Sequence, residues 1–502
     1  MIGRARSVVL AGLTGHMIEV EAHVAQGLPS FTIVGLPDTA LSEARDRVRA
    51  AIVSSGVEWP RRRVTVNLSP ASLPKSGSAT DLAIAVAVMA GAGGVDPVLA
   101  QRPVLLGELG LDGRVRPVRG VLPSVAAAVG AGHTRLVVPH GNAAEASLVA
   151  GASIRADATL ADVLTALGAR DAVPTATAPV PAPPAAPRGA AVAADLTEVR
   201  GQSEARLALE VAAAGGHHLL MLGPPGAGKT MLAERLPGIL PDLTEAEAVT
   251  ATAIHSLAGT LDAAEGLLRR PPFESPHHTA SAAAIVGGGT RLARPGAVSL
   301  AHGGVLFLDE APEFPARVLE TLRQPLERGE IVLHRAHGVT RYPARFQLVL
   351  AANPCPCGRF VGDGARCSCR PNERRRYLTR LSGPLLDRID LQVGLLPSGR
   401  ADAPGEPSAT VAARVAAARA RARARLAEHG WSANAQASGV WLRRTTDRRA
   451  CAALWGAMDR GALTARGADR ALRVAWTLAD LAGDDAPTDA HVAQALAFRQ
   501  GT

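Results

Sequence analysis

Lysine is almost missing from this chain. Of 54 basic residues in a sequence of 502, only Lys75 and Lys229 are lysine, and the others are arginine. The shortage excludes lysine as a general surface cation and singles out the two positions that keep it. Long apolar runs are missing as well. No stretch of 18 or more apolar residues occurs, which excludes a membrane-spanning helix. The opening MIGRARSVVLAGLTGHMIEVE turns acidic too early for a secretion signal. The expectation is a soluble, cytoplasmic protein with no membrane partner. Cysteine is scarce too: there are five, and four fall at positions 355, 357, 367 and 369, with Cys451 apart. In a reducing compartment this excludes a disulfide framework, so the cluster reads first as a metal site.

What is present fits a large globular chain. Hydrophobic residues make up 47%, and the length predicts about three domains. The net charge of +9 hints at a polyanionic partner, although general arginine enrichment accounts for it equally well. Residues 172–194, AVPTATAPVPAPPAAPRGAAVAA, form a Pro/Ala tract that reads as an extended linker. It separates an N-terminal domain, 1–171, from a second α/β core, 195–399, and a helical lid, 400–502.

Before the tract, VVLAGL, MIEVEAHV, SFTIVGL, RVTVNL, VLLGEL and RLVVP read as strands, and SEARDRVRAAIVSSG, DLAIAVAVMAGAG and LPSVAAAVGAG as helices. The fold class is α/β, with helices packed on a sheet. After the tract, the helix SEARLALEVAAAG precedes a buried strand, HHLLML, and further strands fall at VLFL (305–308) and QLVLAA (347–352). From about 400 onward the pattern is helical.

The strongest signal lies between HHLLML and the helix KTMLAERL. Gly223, Pro224, Pro225, Gly226, Ala227, Gly228, Lys229 and Thr230 match GxxxxGK[ST] in full, in strand–loop–helix context. Glycines let backbone N–H groups turn in around phosphate, and the helix N-terminus adds partial positive charge. Lys229 reaches the β- and γ-phosphates of ATP as a compact ammonium where a planar guanidinium would not fit. Thr230 holds Mg²⁺. The apolar strand VLFL carries Asp309 to the same Mg²⁺ and Glu310 to the attacking water as general base. Asn353, after QLVLAA, is placed to orient water or γ-phosphate, or is an ordinary turn former. Arg388, in LLDRID, is either an arginine finger for a neighbouring subunit or one side of a surface ion pair with Asp387 or Asp390. Arg466 begins a lid helix and is placed to touch the γ-phosphate from its own subunit.

These motifs together resemble the magnesium-chelatase-like branch of AAA+ proteins, and the ComM/YifB family in particular. The likeness spans nearly the whole chain, through GLPSFTIVGLPDTALSEARDRVRAAI, RGQSEARLALEVAAAGGHHLLMLGPPGAGKTMLAERLPGILP, SPHHTASAAAIVGGG, LDEAPEFPARVLETLRQPLERGEI, ANPCPCG and RLSGPLLDRIDLQV. The resemblance implies an AAA+ core with a helix-2 insertion and a hairpin ahead of sensor 1. It also implies a homo-hexameric ring and a helicase that migrates branched DNA in recombination during natural transformation. In that frame Asn353 is sensor 1, Arg388 the finger and Arg466 sensor 2. The spacing agrees with an insertion: 79 residues lie between Lys229 and Asp309, and they include SPHHTASAAAIVGGGTRLARPGAVS, a Gly-rich stretch suited to a mobile loop. Residues 330–347 read as two β runs about a turn near His337.

The N-terminal piece resembles the proteolytic domain of Lon. That chemistry needs a Ser nucleophile and a Lys base, yet the matching positions here are Ala79 and Ser124. A non-proteolytic scaffold or binding module is expected. Cys355, Cys357, Cys367 and Cys369 could supply four thiolates to a structural Zn²⁺, or form a loop of free thiols. His334, Arg335, His337 and Arg341 give the hairpin a composition suited to DNA phosphates, as does an ordinary basic hairpin tip. Arg414, Arg419, Arg421, Arg423 and Arg425 offer a second basic surface or a solvated lid helix. The reading is an ATP-dependent DNA motor, single-stranded or branched DNA being the partner. A metal-chelatase ATPase subunit and a protein remodeller are the alternatives, and Ala79 and Ser124 count against an ATP-dependent protease.

Overall fold

The structure is a computed structural model that describes residues 1–34, 38–71, 73, 78–173, 178–182, 194–289, 294–335, 338–362, 364–396 and 403–499. Lys75, His337 and much of the Pro/Ala tract lie outside the described residues.

The N-terminal strands are β1 (Ile2–Ala11), β2 (Thr14–Ala25), β3 (Ser30–Val34), β4 (Arg63–Ser69), β5 (Val104–Leu105), β6 (Glu108–Leu109), β7 (Val115–Arg116), β8 (Arg135–Pro139) and β9 (Ser153–Asp157). Seven of them form one mixed sheet in the order β3-β4-β2-β1-β5-β8-β9, and β6 and β7 form a small hairpin. β1 and β2 pair antiparallel from Ile2↔His23 to Ala11↔Thr14. The helix Asp81–Ala92 lies across these two strands, buried from Asp81 to Gly91. Its small residues let the backbones meet: a Cβ on Gly3 would lie 2.2 Å from the Ala87 carbonyl oxygen. Each Val, Ile or Leu fully enclosed there contributes roughly 1.5–3 kcal/mol of transfer free energy. Asp81 is covered with the helix, and Arg47 answers its charge from 2.7 Å. Ser124 donates to the Gly120 carbonyl within the start of its own helix, Val121–Gly130.

The second sheet comprises β10 (Leu219–Leu222), β11 (Phe273–Glu274), β12 (Val305–Leu308), β15 (Gln347–Ala352) and β16 (Leu391–Gly394). Between them, β13 (Glu330–Arg335) and β14 (Gly338–Pro343) form a separate hairpin. The sheet order is β11-β12-β15-β10-β16, and every pair is parallel. Both faces are buried, which explains why these strands read as unbroken apolar runs. Leu219, Phe307 and Val349 face one core, and Leu220, Leu306 and Leu348 face the other. The first of these cores also takes in Val415, Leu472 and Trp476 from the C-terminal helices. Those helices therefore pack on a face of the second sheet, with the helix Ser203–Gly215 between.

Buried polar contacts tie the same elements together. His217 bonds Asp390 at 3.3 Å and Thr477 at 2.8 Å, and Arg470 meets Asp390 at 3.0 Å. Three arginines of the expected second basic surface are taken up in contacts within the protein. Within the helix Ser408–Leu426, Arg414 grips Glu210 at 2.7 and 2.9 Å and Glu406 at 3.0 and 2.8 Å. Arg419 donates to the Ala213 carbonyl, and Arg425 clasps Asp480 through two 2.7 Å bonds. These guanidiniums hold the lid helix to its neighbours; Arg421 and Arg423 remain exposed.

The stretch expected as a mobile loop is packed where it is described. Ile285 and Val298 are fully buried against the sheet. Gly287 and Gly296 let the two arms approach so closely that a Cβ on Gly296 would sit 2.3 Å from the Gly287 nitrogen. Among the described residues, the N-terminal domain touches the second domain near Arg119 and at the β1–β2 turn. Arg119 donates to the Ala258 carbonyl at 3.1 Å, beside a hydrogen bond between Ser256 and Glu145. At the β1–β2 turn, a Cβ on Gly12 would lie 2.7 Å from the Arg341 carbonyl oxygen.

Candidate nucleotide site

In a parallel sheet the loops at the carboxyl ends of the strands surround a crevice where the strand order reverses. Here that crevice lies beside β10, and the expected residues of the phosphate loop together with Asp309, Glu310 and Asn353 converge on it. Gly228, at φ 90°, turns the loop into the helix Lys229–Arg235. The Lys229 ammonium is folded into the loop, donating to the carbonyls of Gly223 at 2.6 Å and Pro224 at 3.0 Å and to Asn353 Oδ1 at 3.0 Å. Burial lowers its pKa, and Asp309 and Glu310 nearby work in the opposite direction. The Thr230 hydroxyl donates to Asp309 Oδ2 at 2.7 Å, so a hydroxyl and a carboxylate from elements 79 residues apart meet at one point. Two hard oxygens beside a phosphate cradle are a fitting donor set for Mg²⁺.

Glu310 follows at φ 50°, ψ 43°, a left-handed conformation that is uncommon outside glycine. The turn sets its carboxylate beside His278, Nδ1 to Oε2 3.4 Å. The rings of His277 and His278 lie tilted by 33° with centroids 4.1 Å apart, and Phe314 meets His278 edge-on. Among the described residues the other non-glycine with positive φ is Gln202, which donates to the Ala227 carbonyl of the phosphate loop at 3.3 Å. His278 and Gln202 both lie in stretches that carry the family resemblance. The sequence offered no pattern assigning either to the site, because each acts through a contact distant in the chain.

Comparison with known proteins agrees with this geometry. Residues 195–402 match the family described as magnesium chelatase, subunit ChlI; residues 20–142 and 405–499 match two further ChlI families, the latter its C-terminal part. The chain is 52% identical to an uncharacterized protein of Mycobacterium tuberculosis over 99% of both chains. It is 42% identical to the YifB protein of Escherichia coli and to the competence protein ComM of Haemophilus influenzae, in each case over 97% of this chain and 95% of the relative. This chain belongs to the YifB/ComM family of magnesium-chelatase-like AAA+ ATPases. Part of the N-terminal region is also 26% identical to the Lon protease of Rhizobium meliloti, over 28% of this chain. The family implies ATP and Mg²⁺, and the residues just described fit both.

The two arginines expected from the family stand together, away from this crevice. Arg388 precedes β16 and so lies toward the amino ends of the strands, the opposite edge from Lys229. It forms an ion pair with Glu327 and donates to the Pro384 carbonyl. Burial lowers its pKa, with further lowering from Arg323, Arg470 and Arg466 close by. Arg466 thus neighbours Arg388.

On the hairpin, Arg341 pairs across the strands with Glu330 at 2.8 Å and His334 is exposed, whereas the Arg335 side chain lies outside the described residues. The four clustered cysteines do come together, their sulfurs all within 4.8 Å of one another. No helix among the described residues is long and apolar enough to cross a membrane.

Proposed function

We propose that this protein is an ATP-driven DNA motor that works in the cytoplasm as a ring of identical subunits, a hexamer by family likeness, and that it migrates branched DNA. The observation that carries the motor reading is the meeting of Thr230 with Asp309 beside Glu310, at a glycine loop that already contains Lys229. ATP would lie along Gly223–Gly228, with phosphate oxygens replacing the carbonyls that Lys229 now contacts. Thr230 and Asp309 would hold Mg²⁺, which supplies charge neutralisation on the phosphates when bound. Glu310 would take the proton of the attacking water, oriented by His278 on one side and with Asn353 across the crevice.

The ring reading is supported by the separation of Arg388 and Arg466 from the subunit's own crevice. A guanidinium at the far edge of the sheet serves a neighbour's γ-phosphate, so we assign Arg466 to the same trans interface as Arg388 rather than to its own nucleotide. The DNA reading is supported by the competence protein among the full-length relatives and by the exposed hairpin. DNA contact of this kind falls chiefly on phosphates and is salt-sensitive. Domain limits at 171, 194 and 399 complete the proposal, with Zn²⁺ on the four clustered thiolates. A four-way junction assay with and without ATP tests the function. Junction-dependent ATPase activity with strand exchange supports it, whereas ATPase activity indifferent to DNA favours a protein remodeller.

A further inference from the structure

The cysteine loop begins two residues after Asn353, whose side chain holds Lys229. Cys355 is fully buried, and Cys357, Cys367 and Cys369 are half-buried. Three sulfur separations are 3.4 Å (Cys355–Cys357), 3.6 Å (Cys355–Cys367) and 3.7 Å (Cys357–Cys367). Four thiolates on one Zn²⁺ with bonds of about 2.3 Å form a tetrahedron whose edges are about 3.8 Å. The observed separations match that edge to within a few tenths of an ångström. They also leave no room for a cluster of several irons, whose ligands stand further apart.

The described residues of the intervening loop are folded in: the Cys367 N–H bonds the Gly364 carbonyl at 2.8 Å, and Arg374 lies 4.0 Å over the Phe360 ring.

The loop also touches the phosphate-binding loop. Gly358, tied to Cys355 by a 2.9 Å backbone bond, faces Pro225 so closely that a Cβ there would lie 2.6 Å from Pro225 Cδ. Its φ of 71° places it in the left-handed region as well. One short segment therefore carries Asn353 at its start, the thiolates through its length, and a backbone contact with Pro225.

We infer that Cys355, Cys357, Cys367 and Cys369 hold a single Zn²⁺ and that this ion braces the phosphate loop through Gly358 and Pro225, so that nucleotide affinity depends on the metal. The inference rests on the assignment of Gly223–Thr230 to ATP. Without the ion nothing cross-links the four sulfurs, and the loop opens. Pro225 then loses its wall, and Asn353 its fixed position against Lys229.

The test uses the full chain, purified under reducing conditions without chelator. Metal analysis is expected to give about one zinc per chain, and Co²⁺ exchanged into the site to show the intense thiolate charge-transfer bands of tetrahedral cobalt. Stripping the metal with a mercurial and a chelator, then restoring thiols, should weaken binding of a fluorescent ATP analogue by on the order of tenfold or more. Added Zn²⁺ should restore it. Gly358→Ala should keep the zinc yet weaken nucleotide binding, which guards against simple unfolding of the stripped protein.

Protein without zinc overturns the inference, as does zinc whose removal leaves nucleotide affinity unchanged. Lys229→Ala serves as the control for the nucleotide assignment. If that variant binds ATP normally, the phosphate-loop reading fails, and this outcome is separate from the metal stoichiometry.

Discussion

His302 should make the ATPase core acid-sensitive in a window set by the burial of one imidazole. The ring is 8% exposed, and its Nδ1 accepts the backbone N–H of Arg345 at 3.1 Å, just where the chain enters β15. Burial pushes its pKa down to about 4, with Arg345 adding to the shift and Glu247 opposing it. In the unfolded chain a histidine titrates near 6.5. As pH falls through that value the unfolded state takes up a proton that the folded state refuses. Stability from this group is therefore complete above about pH 6.5 and is lost as pH falls toward about 4. Between about pH 7 and about pH 5 the loss is about 2 kcal/mol. His302→Asn keeps an acceptor near the Nδ1 position and removes the titration. Urea unfolding at the two pH values, parent against variant, isolates the term because every other group is shared. The parent should lose about 2 kcal/mol more than the variant. Equal losses, or a His302 ring that titrates near 6.5 in the folded protein, would refute the reasoning.

Other expected outcomes bear on catalysis and assembly. Glu310→Gln should bind ATP and Mg²⁺ while turnover falls by roughly 10²–10⁴, measured as phosphate release; parental turnover would remove Glu310 from the chemistry. His278→Ala should lower kcat by a smaller factor with little change in ATP affinity, and His278→Gln should recover part of it; a loss confined to affinity would place His278 elsewhere. Arg388→Ala should bind ATP but hydrolyse it about 10³-fold more slowly, and mixing it with Lys229→Ala protein should restore some activity at mixed interfaces, provided subunit exchange is seen by fluorescence. Arg466→Ala should follow Arg388→Ala in the same mixing assay; rescue by neither mutant mixture would count against a shared site.

The legible parts of this protein were those whose chemistry is written in neighbouring residues. A phosphate loop needs its glycines, lysine and threonine in one run, and the strands beside it are short apolar segments, so VLFL and QLVLAA could be read to the residue. The hairpin was legible for the same reason, two β runs about a turn. β9 and the helix Leu160–Ala166 were not read, although Thr159 and Asp162 form a capping box at that helix start. The ion pairs of the arginines in Ser408–Leu426 were not legible because their partners are remote. Glu210 stands 204 residues before Arg414, and Asp480 stands 55 after Arg425. Helical periodicity tells which way a guanidinium points, but not that a carboxylate waits there. The Gly-rich stretch misled in another way: its glycines serve close approach at Gly287 and Gly296 rather than freedom of the chain.

Close approach of this kind also gives the N-terminal domain a role that its missing dyad does not. The β1–β2 turn meets the hairpin at Gly12, where φ is 68° and the Arg341 carbonyl leaves no space for a side chain. The carbonyl belongs to the strand whose Arg341 side chain reaches across to Glu330. A displacement of this hairpin therefore presses on the long β1–β2 ribbon, and the ribbon is stiff because the buried helix Asp81–Ala92 lies against it. If the hairpin is the DNA contact, Gly12→Val should leave basal ATPase activity near parental and reduce its stimulation by junction DNA. Arg341→Ala should lower stimulation too, and should reduce the salt slope of DNA binding by about one unit. Gly12→Val should leave that slope unchanged, because it alters the support and not the phosphate contacts. Full DNA stimulation in both variants would separate the hairpin from DNA and the N-terminal domain from the hairpin.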